Sequence, residues 1–489
     1  MSRVAGRVAW IPGKVAPMAV YAAPGQPASP ISLPSRYGNW IAGESRLPVL
    51  GRYTENTSPV TGEVYTEVAR STVDDVELAL DAAEEASVGW GATTPTDRAI
   101  VLNKIADRIE EQTTRLAVTD VWDSGKPIRE VLSADLPMAV DHFRQLAGAI
   151  TAQEGGITQQ DGDMVACHRY EPLGVIAQSV PWTFSLLCAA WNLAPALAAG
   201  NTVVLRPAEQ TPVSIMELML LIADLVPPGV VNVVNGLSAE VATPLVSSHR
   251  VRKAVLTDNT AATCSSIYFA DVLEAEDEFS DRVLDAFATF ALNQGEACGS
   301  PSRALVELPM YHEFVEAASI RTKAIRQGNP LDTETMLGAQ TSEEQLSKVL
   351  EHVRLAKESG LRVLTGGVRA DLGGELADGY YMQPTIVEAT DSLWEAIAGP
   401  VVSVASFEDY SSVIRMANAA PESCAAALWS RDLSLTYYAS RDLRATRLFA
   451  NCSPAYSAVA AYGRMDQPAL TDYQRRKNLV LSYGLHPVW

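Results

Sequence analysis

Short, almost wholly apolar runs that alternate with helix-sized segments constrain this chain more than any other feature of its sequence. The runs and the segments between them are 174–180, 186–197, 202–206, 213–225 and 230–234. Continuous apolar runs are typical of strands buried on both faces, and their alternation with helices predicts βαβ units and a parallel sheet. A similar alternation follows at 303–306, 312–326 and 362–364. The sequence therefore predicts an α/β protein.

The length of the chain and one interruption of this pattern indicate several domains. At 489 residues the chain is too long for a single hydrophobic core, so we expect two or three domains. The stretch 148–172 is instead rich in glycine and polar residues, and it alternates near 164–170. Together with a turn at 159–162, this pattern predicts the two strands of an outlying hairpin. Two α/β domains and a hairpin are the simplest architecture.

The beginning of the chain differs from the rest in composition. Residues 1–35 are rich in small residues and proline, and they lack the long apolar core of a signal peptide. We expect a disordered lead-in there, with translation starting at Met18. Helical spacing of apolar residues then predicts a helix over 73–87, capped by Ser71 or Thr72.

Charge and reactive residues exclude several classes of function. A net charge of −20 argues against binding to nucleic acid or to an anionic membrane, and no apolar run is long enough to span a bilayer. The six cysteines and six histidines are scattered without the spacing of a metal site. We therefore expect no metal, and we expect thiols in the cytoplasm rather than disulfides.

Several motifs, in their order along the chain, carry a family resemblance. They are Glu-Pro-Leu-Gly-Val at 171–175, Pro-Trp at 181–182, Ala-Pro-Ala-Leu-Ala-Ala-Gly-Asn at 194–201, Pro-Ala-Glu-Gln-Thr-Pro at 207–212, Asn-Gln-Gly-Glu-Ala-Cys at 293–298, Gly-Pro-Val-Val-Ser-Val at 399–404 and Lys-Asn-Leu at 477–479. This order resembles the NAD(P)-dependent aldehyde dehydrogenase superfamily, and within it the bacterial cytosolic enzymes of broad substrate range. The resemblance extends from about residue 37 to residue 483.

The resemblance implies three domains. They are a Rossmann-like cofactor domain, an α/β catalytic domain and an oligomerisation hairpin. The corresponding segments, after the lead-in at 1–35, are 36–147 with 173–263 for the cofactor domain, 264–465 for the catalytic domain, and 148–172 with 466–489 for the oligomerisation strands.

The resemblance also implies a reaction. In this family a cysteine thiolate adds to an aldehyde, an asparagine amide and a backbone N–H hold the oxyanion, and a glutamate activates the hydrolytic water. Cys298 falls on the nucleophile position, but Thr183 replaces the oxyanion asparagine. The segment that carries the glutamate is shortened, and 260–268 contains no Glu. Glu296, two residues before the cysteine, is a candidate substitute base.

The residues that the resemblance assigns to NAD or NADP are only partly retained. Trp182, Arg206, Glu209 and Thr257 lie at cofactor-binding positions, with Arg206 in place of the usual lysine. Asp258 replaces a glycine that allows close approach to the pyrophosphate, and it adds a like charge.

Two further positions depart from the family pattern. The Glu and the Phe of the family's Glu-x-Phe-Gly-Pro motif are replaced by Ala396 and Ala398. The glycine-rich stretch near the C-terminus is missing between Tyr462 and Tyr473.

These departures leave three functions open. The first is a catalytically degenerate family member that forms homo-oligomers or hetero-oligomers with an active homologue. The second is an active dehydrogenase of a small aldehyde with a rebuilt site. The third is a weak esterase that uses Cys298 without a cofactor.

Overall fold

The computed structural model describes residues 18–257, 264–297, 300–389, 397–419, 425–452 and 470–483. Nineteen strands lie in this part of the chain. They are β1 Arg36–Tyr37, β2 Asn39–Ile41, β3 Glu44–Arg46, β4 Tyr53–Thr57, β5 Val64–Ala69, β6 Gly156–Asp161, β7 Met164–Pro172, β8 Val175–Ser179, β9 Thr202–Arg206, β10 Val231–Val233, β11 Lys253–Leu256, β12 Cys264–Tyr268, β13 Arg303–Glu307, β14 Arg362–Thr365, β15 Thr385–Glu388, β16 Val401–Phe407, β17 Ala425–Trp429, β18 Arg447–Ala450 and β19 Gln474–Ser482.

Thirteen α-helices lie in the same described ranges. They are α1 Val73–Gly91, α2 Pro95–Glu111, α3 Thr113–Ser124, α4 Ile128–Glu130, α5 Leu136–Ala152, α6 Ser185–Ala198, α7 Val213–Ile222, α8 Ser238–Ser247, α9 Glu278–Ala288, α10 Tyr311–Lys323, α11 Glu343–Glu358, α12 Tyr410–Asn418 and α13 Leu433–Asp442. A π-helical turn, Val131–Asp135, joins α4 to α5.

The first α/β sheet has the strand order β11-β8-β9-β10-β2-β3. Its first four strands are parallel to one another, and β2 is antiparallel to β10. Val175 and Ala177 of β8 pack in a cluster with α1 and α8, whereas Ile176 lies in the cluster on the opposite face with α6 and α7. Because both faces are covered, consecutive positions of these strands are apolar, which explains the apolar runs.

The second sheet has the order β14-β15-β16-β13-β12-β17-β18 and is parallel except for the β14–β15 pair. Tyr268 of β12 packs with α9 and α10, and its neighbour Ile267 packs with α12 and α13 on the other face. The two sheets therefore form two α/β units, as the two series of apolar runs predict.

A third sheet consists of the predicted hairpin and one additional strand. Strands β6 and β7 are antiparallel, and the nine-residue β19 pairs with β7 along its whole length. Large apolar side chains of this sheet are exposed, among them Ile157, Leu479 and Leu481. Its assignment as an oligomerisation surface stays a prediction.

The strand and helix predictions agree with the structure to within a few residues. The predicted strand 202–206 has the bounds of β9, and the predicted helix 73–87 lies within α1. The N-cap is Thr72, in a capping box with Asp75, rather than Ser71. The short sheet β1-β5-β4 was not predicted, because its strands carry no continuous apolar run.

The lead-in differs from the expectation where the structure describes it. Residues 18–35 contain no helix or named strand, but the Tyr21 N–H donates to the Leu331 carbonyl at 3.0 Å. Ile31 is buried in the core of the first α/β unit. This part of the predicted disordered segment is therefore packed against the body of the protein. Residues 1–17 lie outside the described residues, and a translation start at Met18 stays a prediction.

Candidate active site

The nucleophile loop, defined here as residues 293–297, adopts an unusual backbone conformation. Asn293, Gln294 and Gly295 have φ values of 48°, 56° and 70°. Three consecutive residues are thus left-handed, and two of them carry a Cβ that disfavours this region. Such strain persists only where the surroundings hold it, and it is concentrated at functional sites. The loop leads directly into position 298, and Cys298 itself lies outside the described residues.

Two side-chain hydrogen bonds hold the first half of the loop. The Asn293 N–H donates to Glu130 Oε2 at 2.9 Å, and Gln294 Nε2 donates to the Ser124 carbonyl at 3.1 Å. Glu130 and Ser124 lie at the ends of α4 and α3, more than 160 positions earlier in the sequence. The loop therefore rests on the first α/β unit.

The second half is held by residues that follow the loop in the sequence. Gln340 Nε2 donates to the Gln294 carbonyl at 3.0 Å, and the Gly399 N–H donates to the Gly295 carbonyl at 2.9 Å. A Cβ at Gly295 would overlap the Gly399 carbonyl, so only glycine fits there. The Gly-Pro motif at 399–400 thus braces the loop.

Glu296, the predicted substitute base, is buried and fully engaged. One carboxylate oxygen accepts from the Thr341 N–H at 3.0 Å and the other from the Thr341 hydroxyl at 2.7 Å. Burial raises the pKa of Glu296 to about 8, although the hydrogen bonds from Thr341 oppose this. In this geometry the carboxylate faces Thr341 and acts as a further brace of the loop.

Thr183, at the predicted oxyanion position, lies in the connection between β8 and α6. It is buried, and the next residue, Phe184, is left-handed with a φ of 51°. The Thr211 hydroxyl donates to the Trp182 carbonyl at 3.3 Å, and the Ser185 hydroxyl donates to the Thr211 carbonyl at 2.7 Å. These bonds fix the backbone on both sides of Thr183.

A buried lysine lies between these two parts of the site. Lys126 is ion-paired with Asp135, and its ammonium lies 4.3 Å from the centre of the Phe184 ring. Burial alone would lower the pKa of Lys126, but the carboxylates of Asp135 and Asp120 outweigh it and the pKa is raised. For Glu130, burial raises the pKa to about 8 against the attraction of Lys126.

The predicted cofactor residues at the end of β9 are bonded to each other. The Arg206 guanidinium donates to the Glu209 carboxylate, and its Nε donates to the Gly236 carbonyl at 3.3 Å. Burial lowers the pKa of Arg206, and the charge of Glu209 opposes this. Two of the side chains at predicted cofactor-binding positions are therefore paired with each other.

Thr257 follows β11 and lies beside the end of β8. Its N–H donates to the Ser179 carbonyl at 3.1 Å, and its hydroxyl accepts from Asn192 Nδ2 at 3.1 Å. Strand β11 is an edge strand: within the described ranges no strand pairs with its outer side, and Leu256 is 60% exposed. Only 257–263 connect it to β12, which already belongs to the second sheet. Asp258 lies outside the described residues.

Sequence reasoning missed the residues that support the nucleophile loop. Lys126, Glu130, Gln340 and Thr341 are all buried, yet all four are of types that usually face water. The one local signal was Gly125, a left-handed helix end with a φ of 79°. It marks a turn, but it does not reveal that the following lysine is buried.

The expectations of no metal site and no membrane-spanning segment can be compared only with the described part of the chain. There, no group of three or more His, Cys, Asp and Glu residues is arranged to hold a metal ion. No helix in the same ranges is long and apolar enough to cross a bilayer.

Comparisons with known proteins agree with this architecture. The aldehyde dehydrogenase family model matches residues 49–270 and 271–470. The chain is 51% identical to the fluoroacetaldehyde dehydrogenase of Streptantibioticus cattleyicolor and 50% identical to a probable aldehyde dehydrogenase of Mycobacterium tuberculosis; each match covers 96% of this chain and 99% of the relative. The structure is similar to that of the NAD+ complex of an aldehyde dehydrogenase from Bacillus cereus, with a TM-score of 0.86 and 29% identity, covering 92% of this chain and 97% of that one.

These matches define an α/β protein with the aldehyde dehydrogenase fold. The chain belongs to the aldehyde dehydrogenase family. The predicted family resemblance is therefore confirmed, and so is the predicted fold class.

Proposed function

We propose that this protein is an aldehyde dehydrogenase family subunit that has lost efficient NAD(P)-dependent turnover. It acts as a partner subunit in the cytoplasm, in an oligomer of its own chains or together with an active relative. The observation that carries the proposal is the Arg206–Glu209 ion pair, because it engages two side chains at predicted cofactor-binding positions. By the family resemblance, Glu209 matches a residue that can bind the adenosine ribose.

The fit of these residues to a dinucleotide is poor. A ribose that binds here must separate a guanidinium that is 6% exposed from its carboxylate partner. The planar guanidinium forms charge-assisted hydrogen bonds with a carboxylate. Separating this pair therefore costs more than separating a carboxylate from the flexible ammonium of a lysine. The NAD+ complex belongs to the Bacillus cereus relative, and for the present chain we derive no step through a bound nicotinamide.

The hydrolytic half of the family reaction lacks a base. The segment that should carry the glutamate is reduced to 257–263 between β11 and β12, and the two pieces of the family match meet close by at 270 and 271. Glu296 is held by Thr341 on both oxygens and is poorly placed to replace it. Thr183 lacks an amide donor, and losing one oxyanion donor costs about 10²–10³ in turnover.

The third sheet supports an assembly role. Strand β19 presents a nine-residue edge, and its side chains at Leu479, Val480 and Leu481 are 46–55% exposed. An exposed apolar strand edge is a template for pairing with another chain. Homo-oligomer formation, or pairing with an active aldehyde dehydrogenase, would cover this surface.

The nucleophile loop favours a second candidate function. Its left-handed turn is held because the Asn293 N–H donates to Glu130, while Gln340 and Gly399 donate to carbonyls of the loop. Strain of this kind is typical of working sites. A rebuilt site would oxidise a small aldehyde through a thiohemiacetal at Cys298. A cofactor-independent esterase would use the same cysteine.

One assay separates these functions. Purified protein and a Cys298→Ser variant are compared for reduced-nicotinamide formation with a panel of small aldehydes and with both NAD and NADP. The proposal expects no difference between the two proteins, together with an oligomer in solution or co-purification with a co-expressed active relative. Turnover that depends on Cys298 contradicts it in favour of the second candidate, and so does a strict monomer that ignores the relative.

Hydrolysis of an activated ester tests the third function. The esterase interpretation expects hydrolysis by the parent protein without cofactor and its loss in Cys298→Ser. Equal rates for the two proteins exclude it.

A further inference from the structure

We propose that Glu130 is a positioning residue for the nucleophile loop: its buried carboxylate holds the Asn293 N–H and thereby fixes the left-handed turn that presents position 298. This inference goes beyond the proposed function, because it concerns the geometry of the cysteine whether or not the site turns over. It rests on the contacts of the loop described above and on the surroundings of Glu130.

The loop needs an external support at Asn293. The left-handed region is unfavourable for a residue with a Cβ, and Asn293 and Gln294 are two such residues in succession. The carboxylate of Glu130 accepts from the first of them at 2.9 Å. Because this hydrogen bond fixes the first of the two left-handed residues, it is well suited to offset the strain.

Glu130 is placed for this single donor. Its second oxygen, Oε1, is buried and has no hydrogen-bond partner among the described residues. A buried carboxylate that served general packing would be expected to have both oxygens satisfied, because an unpaired buried acceptor is costly. Glu130 therefore leaves one oxygen unpaired while its other oxygen accepts from the nucleophile loop at Asn293.

Charged neighbours act on the carboxyl group of Glu130 in both directions. Lys126, on the loop before α4, attracts it, and so does Arg129, whereas Asp135 repels it. Asp135 is itself turned back onto Lys126 by the π-helical turn that follows Glu130. Such turns occur frequently at functional sites. Lys126 thus lies between Asp135 and Glu130 and moderates the repulsion between the two carboxylates.

The first test is amide hydrogen exchange of the full-length protein, followed in peptides that cover 289–297. In Glu130→Ala the Asn293 N–H loses its acceptor, and we expect exchange about tenfold faster there. Glu130→Gln keeps an acceptor oxygen of the same reach and should stay within about twofold of the parent. Unchanged exchange in Glu130→Ala overturns the proposal.

A second variant covers the case in which Glu130→Ala does not fold. Glu130→Asp keeps a carboxyl group but withdraws it by one methylene, so the bond to Asn293 is lost. We expect the same local acceleration of exchange with a smaller loss of stability. An Asp variant that exchanges like the parent at 289–297 also overturns the proposal.

The second test measures the cysteine itself. Alkylation of Cys298 by iodoacetamide is resolved by peptide mass spectrometry, with the exposed Cys452 as the internal reference. We expect the ratio of the two rates to change by about fivefold or more in Glu130→Ala and to be restored in Glu130→Gln, because small displacements alter a reactive group strongly.

A matched control separates positioning from general loosening. Glu217 is also a buried carboxylate, and it accepts from the Tyr37 hydroxyl at 2.6 Å and from Arg115 at 2.7 Å, in a different network. Glu217→Ala should lower the stability of the protein and leave the Cys298-to-Cys452 ratio unchanged. An equal change of the ratio in Glu217→Ala and Glu130→Ala contradicts a positioning role.

Discussion

Gly295 and Gly399 meet backbone to backbone, with the Gly399 N–H donating to the Gly295 carbonyl at 2.9 Å. The contact joins the nucleophile loop to the Gly-Pro motif that precedes β16. Glycine is required at 295 for two reasons. The backbone is left-handed there, and a Cβ would overlap the Gly399 carbonyl. Two motifs that lie about a hundred residues apart in the sequence therefore form one structural unit.

This contact predicts a large effect of Gly295→Ala. The substitution adds a left-handed penalty and a backbone clash, so we expect the free energy of unfolding to fall by about 2–4 kcal/mol in urea denaturation. Gly148→Ala is the control, because Gly148 lies inside α5 and a Cβ added there would have no atom within 4 Å. It should stabilise the protein by about 0.5–1 kcal/mol. Equal stabilities of the two variants would contradict the close packing at Gly295.

The buried Lys126 is expected to stabilise the protein by compensating the charge of the buried acidic groups beside it. Lys126→Met leaves Asp135 and Glu130 buried without their cation, and we expect a loss of about 3–5 kcal/mol in the free energy of unfolding. The double variant Lys126→Met/Asp135→Leu should recover a large part of that loss.

An exposed lysine provides the control for this experiment. Lys348 pairs with Glu344 on the surface of α11, with side chains that are 60% and 73% exposed. Lys348→Met should change the free energy of unfolding by about 0.5 kcal/mol or less. A Lys126→Met variant that is no less stable than Lys348→Met would contradict the proposed compensation.

The contrast between β9 and Lys126 explains which features the sequence could predict. A strand covered on both faces is apolar at consecutive positions, as β9 is at Val203, Val204 and Leu205, so the strand 202–206 can be predicted from local composition alone. A charged residue in a helical segment normally faces water. Lys126 and Glu130 are buried only because Asp135, Phe184 and Asn293 come to them through the tertiary fold. No local pattern carries that information.

The same reasoning applies to Glu296 and Arg206. Family resemblance locates both positions, but the hydrogen bonds from Thr341 and the ion pair with Glu209 depend on the packed structure. The sequence predicts which residues stand at the site, whereas their engagement with other protein groups could not be foreseen.

The raised pKa of Glu296 predicts a dependence of stability on pH. Its pKa is about 8 in the folded protein and near 4.5 in an unfolded chain, so the folded state binds the proton more tightly. The resulting stabilisation is complete below about pH 4.5 and is lost as the pH rises toward 8, by up to about 1.4 kcal/mol per pH unit. Glu296→Gln removes this titration. The stability of the variant relative to the parent should therefore increase between pH 5 and pH 8.

Urea unfolding at several pH values and constant ionic strength measures this difference. Glu351→Gln serves as the control, because Glu351 is exposed on α11 and hydrogen bonds from Arg354 lower its pKa. The stability difference between this variant and the parent should be nearly constant over the same range. If the free energy of unfolding of Glu296→Gln changed with pH in parallel with that of the parent, Glu296 would already be ionised in the folded protein at pH 5.

The Arg206–Glu209 pair predicts how cofactor affinity can be restored. In Arg206→Lys the planar fork is replaced by a point charge, which leaves the Glu209 carboxylate more accessible to ribose hydroxyls. We expect NAD to bind about tenfold more tightly than to the parent, measured by isothermal titration calorimetry. Arg354→Lys, at an exposed ion pair on α11, should leave the affinity unchanged. Because the mutual pairing of Arg206 and Glu209 is the observation that carries the proposed loss of turnover, equal NAD affinity of the parent and Arg206→Lys would remove that support and favour a rebuilt dehydrogenase site.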